Sequence, residues 1–417
     1  MDKNKVLIVE DSLVISKLLD KSFSLYLPFE VQYVKTFSEA QDILKTDHEF
    51  FISIVSYNLP GAPNGEIIDL MFQNNLPVVV LTSTYTNEFR AEMILKNVLD
   101  YVLKDSRHNI ERLCYLIKRL FMNHLITILV VDDSETALKT ISMLLKQQKY
   151  KVLEAENGNI ALNILKENPN ISMVITDYNM PGINGFELVE LIRQDHHKNK
   201  LAIIGISSSE DKTLSAQFLK KGANDFLIKP FIKEEFYCRV TQNIEMMEYI
   251  SQIQDTAERD FLTKLNNRKY LFEKGEILYE TMKTKNKKMA IGMIDIDYFK
   301  KINDTFGHDI GDKALKHVSE VLLQNLRQAD IISRYGGEEF CVVLTNIQDD
   351  DVLRIFNRVR SIIEAEIIQM QGRNEQITVS IGVTSDRATS FETMINNADD
   401  NLYKAKESGR NRVVGIK

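Results

Sequence analysis

One long internal repeat sets what this chain can fold into. Val6-Leu-Ile-Val-Glu-Asp-Ser12 returns as Ile128-Leu-Val-Val-Asp-Asp-Ser134, 122 residues on. Tyr57-Asn-Leu-Pro-Gly61 returns as Tyr178-Asn-Met-Pro-Gly182 at an offset of 121. Val78–Thr82 returns as Leu201–Ser207, and Tyr101-Val-Leu-Lys104 as Phe226-Leu-Ile-Lys229, with Thr/Ser and Lys both displaced by 125. Four matches in one order at nearly one offset mark a duplicated domain, because a solenoid repeat is far shorter.

In the second copy, apolar runs at Ile128–Val131, Lys151–Glu154, Met173–Thr176, Leu201–Ile206 and Asp225–Ile228 alternate with helical spacing, as in Glu135–Gln147 and Gly185–Gln194. This alternation predicts an α/β domain, a parallel sheet covered by helices on both faces. Such sheets place ligands beyond the carboxyl ends of their strands. Asp132 and Asp133, Asp177, Ser207 and Lys229 fall at the ends of the first, third, fourth and fifth runs. Converging carboxylates repel unless a hard cation joins them, and Mg²⁺ suits oxygen ligands. A carboxylate beside Mg²⁺ can accept a phosphoryl group as an acyl phosphate, while Lys and Ser can hold its oxygens.

On those residues, and on Lys229-Pro230, segment 125–245 resembles a response-regulator receiver domain. The resemblance implies a flavodoxin-like doubly wound fold, Asp177 as phosphoacceptor, and a histidine kinase or phosphotransfer protein as partner. It also implies one Mg²⁺ on Asp133, Asp177 and the Asn179 carbonyl, with Asp132 acting through water. Ser207 and Lys229 would hold the phosphoryl group, and Phe226 would be the aromatic that reorients on switching.

The first copy, residues 1–122, is similar but has Ser56 where Asp177 stands. Glu10, Asp11, Thr82 and Lys104 remain, and Asp105 replaces the proline. A serine cannot form an acyl phosphate, so this copy reads as a pseudo-receiver used for packing or dimerisation, or as an inert relic. After Phe231, Val240, Ile244, Met247, Ile250, Ile253 and Ala257 recur at spacings of three and four. They predict a linker helix over 236–258, either pairing as a two-stranded coiled coil or packing on its own domain.

From residue 258 the pattern changes. Strands are expected at Met289–Ile296, Ile331–Tyr335, Phe340–Leu344 and Ile377–Val383, and helices at Ile310–Leu326, Val352–Ile368 and Phe391–Lys406. This order predicts an α+β, ferredoxin-like domain with a central hairpin turning at Gly336-Gly337. Asp295 and Asp297 are expected on one strand face, near Glu338 and Glu339 in the hairpin. Acids so placed could hold two Mg²⁺ ions for displacement at a phosphate.

Several motifs run through residues 258–417: Asp260-Phe-Leu-Thr-Lys-Leu-Asn-Asn-Arg268, Asp295-Ile-Asp-Tyr-Phe-Lys-Lys-Ile-Asn-Asp304, Arg334-Tyr-Gly-Gly-Glu-Glu-Phe340 and Ala405-Lys-Glu-Ser-Gly-Arg-Asn411. With them the segment resembles a GGDEF-family diguanylate cyclase, in its Gly-Gly-Glu-Glu-Phe variant. The resemblance implies two GTP condensed to cyclic di-GMP plus two pyrophosphates, by a homodimer holding one GTP per domain. Asp295, the Ile296 carbonyl and Glu338 would bind two Mg²⁺, with Glu339 beside them in catalysis. Asn303 and Asp312 would read guanine, with Phe299, Gly336 and Gly337 lining the substrate site. Lys300, Lys406 and Arg410 would neutralise the triphosphate. Arg327 and Asp330, five residues and more before the signature, match the family's inhibitory product site, with Arg358 as a second contact.

Composition excludes some classes. Lys+Arg is 52 and Asp+Glu 59, a net charge of −7, which disfavours broad nucleic-acid binding. Three scattered cysteines argue against a disulfide framework. The longest apolar stretch, Leu125–Val131, is far too short to span a membrane. The expectation is a soluble cytoplasmic protein without membrane insertion. The reading is a cyclase activated by Asp177 phosphorylation and dimerisation and inhibited by its product. The alternatives are a non-catalytic cyclic di-GMP receptor acting through Arg327 and Asp330, and an enzyme using a different nucleotide.

Overall fold

The structure is a computed structural model and describes residues 5–26, 29–47, 49–208, 212–370, 373–385 and 389–415. The chain divides into two compact units, Met1–Met247 and Glu248–Lys417.

The first unit holds two parallel sheets. One is built from β1 (Lys5–Val9), α1 (Leu13–Tyr26), β2 (Glu30–Val34), α2 (Phe37–Thr46), β3 (Phe50–Ser56), α3 (Glu66–Gln73), β4 (Val78–Thr82), α4 (Asn87–Leu95), β5 (Asp100–Leu103) and α5 (Arg107–Asn123). The other follows with β6 (Thr127–Val131), α6 (Glu135–Gln147), β7 (Lys151–Ala155), α7 (Gly158–Glu167), β8 (Ile171–Asp177), α8 (Gly185–Asp195), β9 (Ala202–Ser207), α9 (Lys212–Lys221), β10 (Asp225–Ile228) and α10 (Lys233–Glu258). Their strand orders, β2-β1-β3-β4-β5 and β7-β6-β8-β9-β10, are the same. This is the doubly wound 2-1-3-4-5 order. Alternation drives it: Leu129 and Val131 enter one core while Ile128 and Val130 enter the other.

The first half of the linker stripe is consumed locally. Val240 and Ile244 are buried in the core of the second sheet, and Met247 packs against it. Ile253, by contrast, is 68% exposed. The packed alternative therefore holds for the first half of α10. The α4–β5 side of the first sheet also meets α10. Arg90 donates to Glu234 from Nε and Nη2 at 3.2 and 3.1 Å, and Lys233 donates to Asn97 at 2.8 Å.

The second unit contains α11 (Arg268–Thr284), β11 (Met289–Ile296), α12 (Phe299–Phe306), α13 (His308–Asn325), β12 (Ile331–Gly336), β13 (Glu339–Thr345), α14 (Asp349–Ala365), β14 (Ile367–Met370), β15 (Arg373–Gln376), β16 (Val379–Thr384), α15 (Phe391–Glu407) and β17 (Val413–Gly415). The sheet order is β12-β13-β11-β16-β17, with β11 antiparallel to both β13 and β16. Its first four strands follow the ferredoxin-like arrangement.

Two local expectations change. The helix expected to reach Ile368 ends at Ala365, and Ile367–Met370 pairs with Arg373–Gln376 as a separate hairpin. The central hairpin turns at Gly337 and Glu338 rather than at Gly336-Gly337, because Gly336 still pairs with Glu339. Gly337 takes φ 52°, a left-handed value that glycine adopts freely. On β11, Ala290, Ile294 and Ile296 face one core, while Ile291 and Met293 face the core shared with Leu402 of α15.

Candidate active site and phosphoacceptor site

The row Ile291, Met293 continues to Asp295, so Asp295 faces α15 at the end of its core. Lys406 lies one helical turn beyond Leu402, and its Nζ meets Asp295 Oδ2 at 2.8 Å. Glu339 is the cross-strand partner of Asp295, and Glu338 precedes it in the turn. Burial pushes the Asp295 carboxyl up to about 6; Lys406 pulls it down, and Glu338 and Glu339 add repulsion. Burial also raises Glu339, against the pull of Lys406. Like charges opposite one another in a sheet destabilise it unless a cation intervenes. Lys406 supplies one positive charge, so the donor set fits a hard divalent cation. Among the described residues, however, no three acidic or histidine side chains already form a metal cage. Ile296 is buried at the strand end.

Asp297 does not join this acidic group. It lies beyond β11, and Thr378, Ser380 and Asn411 take up its carboxylate. Asn303 on α12 presents a buried Oδ1 that lacks a hydrogen-bond partner. A Cβ on Gly311 would stand 2.0 Å from that oxygen, so a side chain there would push the Asn303 amide aside. Phe299 packs against the adjoining core, while Lys300 and Asp312 are exposed. Arg410 lies over the Tyr298 ring at 4.6 Å.

A cleft of about 380 Å³ brings Arg327, Asp330 and Arg358 together. It adds Asp351 and Arg354, which the sequence reading missed. Arg354 stands one helical turn before Arg358, a spacing that could have revealed it. Arg358 donates to the Asn325 carbonyl at 2.8 Å, and the Arg327 N–H donates to Asp330 at 3.0 Å.

In the second sheet, Lys229 Nζ donates to Asp177 Oδ1 at 2.7 Å and to Asp132 Oδ2 at 2.8 Å. The Asn179 N–H donates to Asp177 Oδ2 at 2.7 Å. Burial raises the Asp177 carboxyl, partly offset by Lys229. Burial opposes charge on Lys229, but its bonds to Asp132 and Asp177 outweigh that and raise it. Asp133 is exposed at the rim, Ser207 is buried at the end of β9, and Phe226 packs on Phe218 at 5.2 Å. These oxygens also suit a hard cation. The first sheet repeats the arrangement with a neutral centre: Lys104 Nζ donates to Ser56 Oγ at 2.6 Å and pairs with Glu10 at 2.6 Å.

Residues 257–412 match the family model described as diguanylate cyclase, GGDEF domain, and residues 128–241 match the response regulator receiver domain. The chain carries a response regulator receiver domain and a GGDEF-family diguanylate cyclase domain. GGDEF cyclases and receiver domains generally use Mg²⁺. Among its relatives is the response regulator PleD of Caulobacter vibrioides, 30% identical over 299 residues, 69% of this chain. The chain spans 65% of the length of that relative. Diguanylate cyclase A of Treponema denticola is 39% identical over 169 residues, 39% of this chain and 46% of that protein. The crystal structure of a two-component system response regulator/GGDEF domain protein is 40% identical with a TM-score of 0.54, and covers 59% of this chain and 99% of its own. Among the described residues, no helix is long and apolar enough to cross a membrane.

Proposed function

We propose that the protein condenses two GTP into cyclic di-GMP and two pyrophosphates, under control of phosphorylation at Asp177. The observation that carries this reading is the Asp295–Glu339 pair beside Glu338, with Lys406 already drawn to Asp295. Asp295, the Ile296 carbonyl and Glu338 would hold Mg²⁺, which when bound activates the attacking hydroxyl and stabilises charge on the α-phosphate. Glu339 assists at the same site. Asn303 and Asp312 accept from guanine, Phe299, Gly336 and Gly337 border the nucleotide, and Lys300, Lys406 and Arg410 neutralise the triphosphate. The product carries two equivalent phosphodiester bonds, so two domains face each other in a homodimer.

In the receiver, Asp132, Asp133, Asp177 and the Asn179 carbonyl form the Mg²⁺ site. A phosphoryl group on Asp177 takes Lys229 and Ser207 as partners, and Phe226 follows the moving loop. The first domain is a pseudo-receiver, since Lys104 is satisfied by Ser56 and Glu10. Boundaries at 1–122, 125–245, 236–258 and 258–417 describe this organisation. The free cysteines, two buried and one exposed, support a reducing cytoplasmic setting. The Arg327–Asp330–Arg358 cleft is read as the inhibitory product site.

The test is incubation with Mg²⁺ and GTP, with and without beryllofluoride, followed by product analysis. Cyclic di-GMP that increases with beryllofluoride supports the reading. Tight cyclic di-GMP binding without synthesis would favour the receptor alternative, which the same cleft supports.

A further inference from the structure

Asp297 is only 4% exposed. Its Oδ1 accepts from Ser380 Oγ at 2.6 Å, and its Oδ2 accepts from Thr378 Oγ1 at 2.7 Å and the Asn411 N–H at 3.0 Å. Ser380 belongs to the neighbouring strand β16. Asn411 belongs to the loop that leaves α15. Three successive residues of that loop are left-handed: Gly409 at φ 111°, Arg410 at 61° and Asn411 at 45°. For the two non-glycine residues this backbone costs energy and persists only where the surroundings hold it.

The loop is held on two sides. Asp297 grips its backbone, and the Asn411 side chain grips α14. There Nδ2 donates to Glu364 at 2.7 Å and Oδ1 accepts from Arg360 at 2.6 Å. So held, the loop lays Arg410 over Tyr298, directly after the last turn of α15 from which Lys406 reaches Asp295. A buried carboxylate needs several donors to remain in place, and this one takes two from Thr378 and Ser380 at the start of β16 and the third from the loop itself.

We propose that Asp297 is a positioning residue for the phosphate-binding segment Lys406–Arg410, the last turn of α15 and the loop that leaves it: it fixes the loop backbone through the Asn411 N–H and does not itself touch the nucleotide. The proposal rests on the cyclase reading for the loop's role. It separates the two aspartates of one motif, Asp295 meeting the reacting groups and Asp297 holding the residues that meet the phosphates.

The test uses the full-length chain in Mg²⁺ and compares α,β-methylene-GTP with GMP by calorimetry, with circular dichroism to confirm folding. In Asp297→Ala, affinity for the triphosphate analogue falls roughly 10–100-fold, as is typical when the support of a binding residue is removed. GMP affinity stays at the wild-type level, because the guanine contacts lie on α12 and α13. Asp297→Asn retains an acceptor for Asn411 and Thr378 and gives a smaller loss of the same kind. Unchanged triphosphate binding in folded Asp297→Ala, or equal loss of both ligands, overturns the proposal. If Asp297→Ala does not fold, Asp297→Asn decides: selective triphosphate loss supports the proposal, and no loss or equal loss overturns it. Wild-type protein that binds the analogue no more tightly than GMP would instead overturn the cyclase reading beneath it.

Discussion

The Arg334 guanidinium donates to both oxygens of Asp260, at 3.1 and 3.3 Å. Its remaining nitrogens hold the Gly337 carbonyl at 2.9 and 2.8 Å. Asp260 also accepts from the Thr263 N–H and hydroxyl. The segment entering the second unit is thereby tied to the turn that carries Glu338.

This pair makes a pH prediction. Burial alone would raise the Asp260 carboxyl, but the bonds from Thr263 and Arg334 outweigh it, and the group titrates below its usual 3.8. A depressed folded-state pKa gives stability that is complete above the unfolded value and is lost as pH falls through the folded value. Asp260→Asn should therefore destabilise the second unit at neutral pH by about 1.5–3 kcal/mol, the worth of hydrogen bonds to a charged group. It should also flatten the acid limb below roughly pH 4. Urea unfolding of wild type and variant across that range checks both.

Asp177→Asn removes the carboxylate proposed to receive the phosphoryl group. Beryllofluoride stimulation of GTP turnover should disappear, together with any shift in association seen by light scattering. Persistence of either response in the variant would place the switch elsewhere.

Ser56→Asp makes the converse prediction. Ser56 ends β3 as Asp177 ends β8, and Lys104 and Glu10 already surround it. In an Asp177→Asn background, the added carboxylate should create a Mg²⁺-dependent beryllofluoride signal in fluorine NMR where Ser56 gives none. The first sheet would then be a receiver whose acceptor carboxylate is the group it most lacks.

These sites were readable to different depths. The duplication exposed both parallel sheets, because strand-end residues such as Asp177 and Lys229 recur at fixed places in the repeat. Asp295 and Lys406 were legible from motifs, but their contact needed the packing of α15 on β11. Asp297 looked like a partner of Asp295, since spacing shows which face a side chain takes and not which donors await it. Ile367 and Ile368 continued the apolar spacing of α14, so the β14–β15 hairpin was absorbed into the helix. The linker stripe had one period throughout, yet its first half is spent on the second sheet's core, a tertiary choice that local pattern does not encode.

The cleft around Arg358 yields the last prediction. Arg327, Arg354 and Arg358 surround it with Asp330 and Asp351, a set able to meet both phosphates and guanine edges. Burial raises the Asp330 carboxyl against its bond from the Arg327 N–H. Arg358 is held by its bond to the Asn325 carbonyl on α13, away from the sheet, and its loss should leave the sheet intact. A hydrogen bond to a charged group is worth about 1.5–3 kcal/mol, and each 1.4 kcal/mol is tenfold. Arg358→Ala should therefore raise the cyclic di-GMP concentration that halves turnover by roughly ten- to a hundredfold, while the KM for GTP stays near wild type. Parallel weakening of inhibition and substrate binding would show that the cleft and the GTP site are not separate.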